Sequence, residues 1–329
     1  MRRPSEFLRP FSPAVRLGFA GLAVAAIGGL AAACGGGGDV DDAALLARNQ
    51  TSGSCDAPPL APATLTPFGE NPLGGIATLT AQPEPAKVSG NPSEQVVREV
   101  TAAAKNFLNC WNQRRFEGAV ALASTNYLKM HFVLQNTADI MVTLRGTPEL
   151  TWTVRSLGDA KGHEDGRVSL AIEYTWIHQQ IAARWYFIKK NGRWFLDQEE
   201  RQHVDLGVAN TDVDVDMMEF AYKLSTSTIK ESPSVTFRAR NVGGLPHETF
   251  VLKLTSNFDP TKLFQPNTRP EGVEFFGHTV EMAGNTGEIT ITDMKPGQYV
   301  IVCQFRFPGG PIATHGQRGM ITTFTVEPK

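Results

Sequence analysis

A chain of 329 residues is long enough for about two domains plus non-globular sequence. Its 31 basic and 33 acidic residues nearly balance at a net charge of −2, and no Lys/Arg cluster is interleaved with aromatics, which excludes electrostatic recruitment of nucleic acid. Hydrophobic residues at 41% suffice for packed cores, so the chain as a whole is not a disordered or fibrous one.

Arg2, Arg3, Arg9 and Arg16 precede LGFAGLAVAAIGGLAAA (17–33), an apolar, small-residue run that stops at Cys34. A basic region, an apolar core and small residues before a cut site form a secretory signal. The alternative is an uncleaved anchor, since the run is just long enough to cross a bilayer. AAAC followed by GGGGD resembles the lipobox of bacterial lipoproteins, with Leu30 one place further upstream than usual. The resemblance implies cleavage before Cys34, a lipid on Cys34, and a protein tethered to a bacterial membrane outside the cytoplasm.

Residues 34–90 form a Gly/Pro-rich tether, with prolines at 58, 59, 62, 67, 72, 83 and 85 and too few apolar residues to offset the entropy of ordering. As a flexible coil it spans about 45 Å. Gly35–Gly38 is not a phosphate loop, having no strand before it and no helix after it. Cys55 in the tether and Cys110 in the next segment can pair in an oxidising exterior, or remain two free thiols.

From 91 to 205 the pattern is α+β. Asn91-Pro92-Ser93-Glu94 is predicted to open a helix, with Asn91 as cap and Pro92 in the first turn. Val96, Val97, Val100, Ala104, Phe107, Leu108 and Trp111 then recur at helical spacing, and RRFEGAVALAS continues as a shorter helix. After Pro148 come strand-like runs: TWTVRSLG, GRVSLAIEYTWIHQQ and AARWYFIKKNGRWFLDQEE. Asn191-Gly192 between two aromatic-rich runs predicts a tight hairpin. Helices followed by long hairpins ending in GRWFLDQ resemble the cone-shaped nuclear transport factor 2-like (SnoaL-like) fold. That resemblance implies a pocket used for catalysis or for binding alone. His131 and His178, with Asp139 and Glu173 as partners, are the acid/base candidates, but nothing in their spacing pairs them. Trp111, Tyr127, Trp152, Tyr174, Trp176 and Trp185 are assigned to core and pocket wall, where a small apolar ligand would sit.

From 208 to 329 the chain reads as all-β: VDVDMMEFAYKLS, SPSVTFRARNVGG, HETFVLKLTS, TGEITITDM, GQYVIVCQF and MITTFTVEP, separated by Gly, Pro and Asn turns. Asp212, Asp214 and Asp216 start like a calcium loop, but Met217 stands where such a loop needs Gly and Lys223 where it needs Glu. Alternating Asp and Val instead predicts a strand with one wet face.

Three separated pieces of this region resemble the cupredoxin (plastocyanin-like) family, whose fold is a Greek-key β-sandwich. SVTFRARNVGGLPHETF carries the first histidine, His247; MKPGQYVIVCQF leads to Cys303; HGQRGMITTFTV carries His315 and Met320. The resemblance implies a copper ion held by His247, Cys303, His315 and, weakly, Met320. A soft thiolate suits Cu(I), imidazole suits both oxidation states, and a trigonal set with a long axial thioether is tolerable to both. Phe305, Phe307 and Ile312 are placed to keep water off the sulfur. Eleven residues separate Cys303 from His315, more than the family's common loops, and Pro308-Gly309-Gly310-Pro311 has the character of an insertion. His278, read as a loop histidine, is an outer-shell or substitute ligand candidate. The expected function is one-electron transfer to an unknown redox partner protein. The alternative is a non-redox binding or adhesion lipoprotein with a copper-free scaffold.

Overall fold

The computed structural model describes residues 54–59, 86–132, 140–141, 144–145, 151–255, 258–264, 272–305 and 314–329. The signal, Cys34, most of the tether, Asp139, Phe307, Ile312 and the PGGP insertion lie outside the described residues. The described residues form a mostly β structure with three helices of six residues or more, α1 Glu94–Asn112, α2 Phe116–Ala121 and α3 Thr125–Phe132.

Helix α1 starts later than Asn91 predicts. Ser93 is the cap: it is extended, and its hydroxyl accepts the Val96 N–H, with Glu94 acidic in the first turn. Its buried stripe, Val100, Ala104, Phe107, Leu108 and Trp111, packs on an antiparallel sheet. That sheet is β1 (Val88–Gly90), β2 (Trp152–His163), β3 (Val168–Trp176), β4 (Gln179–Lys190) and β5 (Arg193–Gln202). The run GRVSLAIEYTWIHQQ is therefore not one strand. It is broken at Ile177, whose φ of 58° reverses the chain between β3 and β4. Asn191 and Gly192, with φ of 50° and 78°, make the hairpin turn that their sequence predicts.

Two pieces of the expected tether are fastened down. Cys55 is disulfide-bonded to Cys110 of α1, and Asp56 exchanges main-chain hydrogen bonds with the Asn106 amide. Gly118 makes room for that bridge, since a Cβ there would meet the Cys55 sulfur at 2.7 Å. Strand β1 pairs with the end of β2, and the ring of His163 bridges Ala86 O at 2.8 Å and the Ser169 hydroxyl at 2.9 Å.

The remaining strands are β6 (Asn210–Met218), β7 (Ala221–Leu224), β8 (Thr228–Lys230), β9 (Ser234–Asn241), β10 (His247–Leu254), β11 (Val273–Glu281), β12 (Thr286–Thr292), β13 (Gly297–Val302) and β14 (Ile321–Glu327). They form a sandwich. One layer runs β12-β9-β6-β7 and the other β11-β10-β13-β14-β8. Val213, Val215, Met217, Phe237 and Ile289 from the first layer pack on Val251, Tyr299, Ile301 and Phe324 from the second. Alternation puts Asp212 and Asp216 on the wet face of β6, where they pair with Arg238 and Arg240 of β9. The predicted strand VDVDMMEFAYKLS is two strands, because Phe220 (φ 63°) turns the chain back after Met218.

One junction was not foreseen. β12 pairs with β4 through Thr290↔Gln180 and Ile291↔Gln179, so a single nine-stranded sheet runs from β1 to β7. Gln179 reinforces it: its amide oxygen accepts the His278 N–H and its amide nitrogen donates to His278 O. Among the described residues, no helix is long and apolar enough to cross a membrane.

Candidate metal centre

Three elements converge at one end of the sandwich. His247 opens β10, directly after the turn Val242-Gly243-Gly244-Leu245-Pro246. Asn241 pins that turn, taking the Gly243 N–H on Oδ1 at 3.0 Å and donating to Leu245 O at 2.7 Å and Glu281 O at 2.8 Å. From the β6–β7 turn, the Glu219 carboxylate accepts the N–H groups of Gly244 and Leu245. Those main-chain donors hold its carboxyl below the usual range. Gly243 lies against this carboxylate: a Cβ there would sit 2.6 Å from the Glu219 oxygen, so a larger residue would push the Glu219 side chain aside.

Cys303 follows β13, and His315 precedes a single 3-10 turn at Gly316–Arg318. Backbone hydrogen bonds stitch the two loop ends together. Cys303 N donates to Met320 O (3.1 Å), Gly316 N to Cys303 O (2.8 Å), His315 N to Phe305 O (3.0 Å) and Met320 N to His315 O (3.0 Å). Thr314 and Gln317 cap each other reciprocally at 2.7 and 3.1 Å. The long loop is thus closed at its base by hydrogen bonds that fix Cys303 and His315 relative to each other.

The result is a cluster of donors. His247 Nδ1 lies 3.1 Å from His315 Nδ1, and Cys303 Sγ lies 3.6 Å from His315 Nδ1. One ligand atom from each of the three falls within 4.8 Å of the others. All three side chains and Met320 are 0% exposed. Burial lowers the pKa values of His247 and His315 to about 4, so both imidazoles are neutral and can present a lone pair. Burial raises the Cys303 thiol, and the Glu248 carboxylate adds to this; the N–H groups of Glu248 (3.3 Å) and Phe305 point at the sulfur and oppose it.

A metal ion fits these residues. Ligand nitrogens and sulfurs sit about 2.0–2.3 Å from an ion such as zinc, and atoms 3.1 and 3.6 Å apart can share one. Two imidazoles and a thiolate are a soft set, unlike the oxygen cages of calcium or magnesium. A bound cation would supply the charge that this dry pocket otherwise denies the thiolate.

Aromatic rings close the pocket. Phe220 meets His315 edge-on at 5.3 Å, Phe305 lies at 5.3 Å, and Arg318 covers Phe220 at 5.1 Å. Phe264 packs over Gly316, where a Cβ would meet its ring at 2.3 Å. Of these rings, only Phe305 was expected. Glu219 and Phe220 carry no local signal beyond the length of VDVDMMEFAYKLS, which is long for a single strand.

The other candidates lie elsewhere. His278 is in β11, not a loop, and stacks on Phe250 at 4.9 Å and against Trp176 at 5.0 Å. His131 of α3 stacks on Tyr127 at 5.1 Å, whereas His178, in the β3–β4 turn, meets Glu274 at 3.1 Å and stacks on Phe276 at 4.2 Å. Glu173 faces Arg155 at 3.9 Å. These three do not assemble into an acid/base pair.

No protein-family model matches the chain, and no curated protein does. Among solved structures, the chain is similar to dithionite-reduced auracyanin from the photosynthetic bacterium Roseiflexus castenholzii, at 21% identity over 36% of this chain and 98% of that one (TM-score 0.27). Auracyanin B is 22% identical over 38% of this chain and 94% of its own (TM-score 0.26). Auracyanin A, a "blue" copper protein of the green thermophilic bacterium Chloroflexus aurantiacus, is 16% identical over 36% of this chain and 100% of its own (TM-score 0.27). Likeness at these scores carries no functional argument, which falls to the side chains.

Proposed function

We propose that this chain is a cupredoxin-type copper protein that passes single electrons through His247, Cys303, His315 and Met320. We also propose that a lipid on Cys34 holds it outside a bacterial cytoplasmic membrane, where it meets a redox partner protein. The observation that carries the copper reading is the dry His-Cys-His cluster, with its two Nδ1 atoms 3.1 Å apart. When bound, copper supplies the one-electron change between its +1 and +2 states.

The chain's own residues do the rest. Neutral imidazoles from β10 and from the base of the long loop present Nδ1, and the N–H groups of Glu248 and Phe305 spread the thiolate's charge. The four backbone hydrogen bonds at the loop base keep the donors in place through a change of charge, so little rearrangement accompanies electron transfer. Phe220 and Phe305 pack on His315 and Phe264 on Gly316, which helps to keep water out of the pocket. Met320, buried and hydrogen-bonded through its main chain to Cys303 and His315, would add a thioether to the donors in this reading.

The test is direct. One equivalent of Cu(II) added to the metal-free chain should be retained through gel filtration and give an intense visible thiolate-to-copper band. A colourless protein without stoichiometric copper would leave the sandwich a scaffold.

A further inference from the structure

We infer that the helix-covered half of the chain holds a second site, independent of the metal centre, for a flat, largely apolar molecule bearing a neutral hydrogen-bond acceptor oxygen. Strand register builds the site. Trp152 and Trp176 are direct cross-strand partners on β2 and β3, so their side chains share one face, and Tyr174 lies on it two residues away. Across β4 and β5, Trp185 opposes Glu199 and Ala183 opposes Arg201, extending the same face. Helices α1 and α3 lay Trp111, Tyr127 and His131 over it. At the far end, Phe275 and His278 of β11 close on Trp176, each at 5.0 Å.

The polar groups in this aromatic cage are unevenly satisfied. Glu199 is saturated, accepting from Arg201 Nε at 2.9 Å, Trp185 Nε1 at 2.8 Å and Tyr174 Oη at 3.1 Å. Burial alone would raise its carboxyl, but Arg201 holds it ionised. The pair is electrically neutral, and burial keeps His131 and His278 neutral as well. In contrast, Trp152 Nε1, Trp176 Nε1, Tyr127 Oη and His278 Nδ1 are buried with no partner among the described residues. Trp152, Tyr127 and Trp176 are themselves 3%, 2% and 9% exposed.

Buried polar atoms without partners are few in native folds, and four around one aromatic cage mark a place where a partner is supplied from outside. The indole N–H can only donate. Two of the four orphans are therefore pure donors, and the group they await is an acceptor. Among the described residues named in this cage, the one cation, Arg201, is neutralised by Glu199, so the acceptor is neutral, such as a ketone oxygen. Trp152 packs on Tyr174 at 4.8 Å and on Trp111 at 4.6 Å, so the surface around these donors is built of aromatic faces, which a planar body matches.

Equilibrium dialysis of the full, metal-free chain against 2-acetylnaphthalene and 2-ethylnaphthalene tests this. The two probes differ in the acceptor oxygen and little in shape. The ketone should bind about tenfold tighter, the worth of roughly one buried hydrogen bond. Trp152→Phe and Trp176→Phe keep a ring and delete a donor, and at least one of them should cut that preference to under about threefold with the far-UV spectrum unchanged. Cys303→Ser should leave the preference intact, which separates this site from the metal centre. Equal affinity for the two probes, binding of neither, or a preference unchanged in both tryptophan variants would overturn the inference.

Discussion

The Nδ1 atoms of His247 and His315 stand 3.1 Å apart in a pocket closed to water. Two imidazole lone pairs cannot face each other at that distance unaided; a shared proton or a shared cation must lie between them. With Cys303 Sγ 3.6 Å from His315 Nδ1, a cation would find a third donor already in place. Cys303→Ser removes the soft ligand at almost constant volume. In copper-loaded protein it should abolish the intense visible band and weaken copper binding by more than about 100-fold, beyond what loss of an outer-shell partner costs. Absorption spectra and metal content of the two proteins check this.

Glu219 acts on the site without touching it. Its carboxylate takes the Gly244 and Leu245 N–H groups and so sets the turn that delivers His247. Glu219→Ala leaves both donors unmatched and should lower stability by about 1–2 kcal/mol. Copper release to a chelator should also speed up several-fold. Glu219→Gln keeps an acceptor oxygen and should recover most of both effects. A slow release rate unchanged in the alanine variant would show that the turn holds its shape without the carboxylate.

Gly316 is where the loop passes closest to its surroundings. A Cβ there would meet the Phe264 ring at 2.3 Å and Cys303 O at 2.9 Å, and Gly316 N donates to that same carbonyl. Gly316→Ala must move the ring, the loop or both. An overpacking cost of about 1–3 kcal/mol follows, together with weaker copper binding because Cys303 and His315 are displaced relative to each other. Urea unfolding and competitive metal titration measure the two effects.

How far the site could be read in the sequence depends on the range of the interactions. Cys303 and His315 lie on one stretch and His247 follows a Gly-Gly turn, so spacing and strand context sufficed to single out the three residues that the fold brings together. Glu219, Phe220 and Phe264 join the site only through tertiary packing. Nothing in EFAY or TKLF marks a carboxylate that ties a distant turn or a ring that covers a glycine. The same holds for the fold. Asn191-Gly192 declared its hairpin because both residues accept positive φ, whereas the Ile177 reversal, in EYTWIHQQ, carries no Gly, Pro, Asn or Asp to mark it. The β4–β12 pairing joins strands over a hundred residues apart, and alternation within either strand is silent about its partner.

The Cys55–Cys110 bridge closes a separation of 55 residues and ties the tether to α1. By loop-closure entropy, losing it should cost about 4 kcal/mol. The double variant Cys55→Ser/Cys110→Ser should therefore melt at a clearly lower temperature by circular dichroism. Cys303, the thiolate ligand of the proposed site, belongs to a different hydrophobic cluster from Cys55 and Cys110, so the copper band should keep its position and intensity below the melting transition. A variant that melts normally would mean that Asp56–Asn106 and β1 already hold the segment.

Acid should destabilise the metal-free chain well above the carboxylate range. Burial lowers His131, His247 and His315 to about 4 and His278 well below its ordinary value. These four take up protons in the unfolded chain below pH ~6.5 but stay neutral when folded, so their contribution is complete above ~6.5 and is lost as pH falls toward 4. Glu248 and Glu281 oppose them. Burial raises both to about 7, so their contribution is complete below pH ~4.3 and is lost as pH rises through 7. Between these limits four histidines outweigh two glutamates by two protons, and stability should fall by up to about 3 kcal/mol per pH unit on acidification. Urea unfolding at pH 7, 6 and 5 measures the slope. His131→Gln should flatten it by about one proton, and Glu281→Gln should steepen it by the same amount. A slope that neither substitution changes would mean that water reaches these groups in the folded chain.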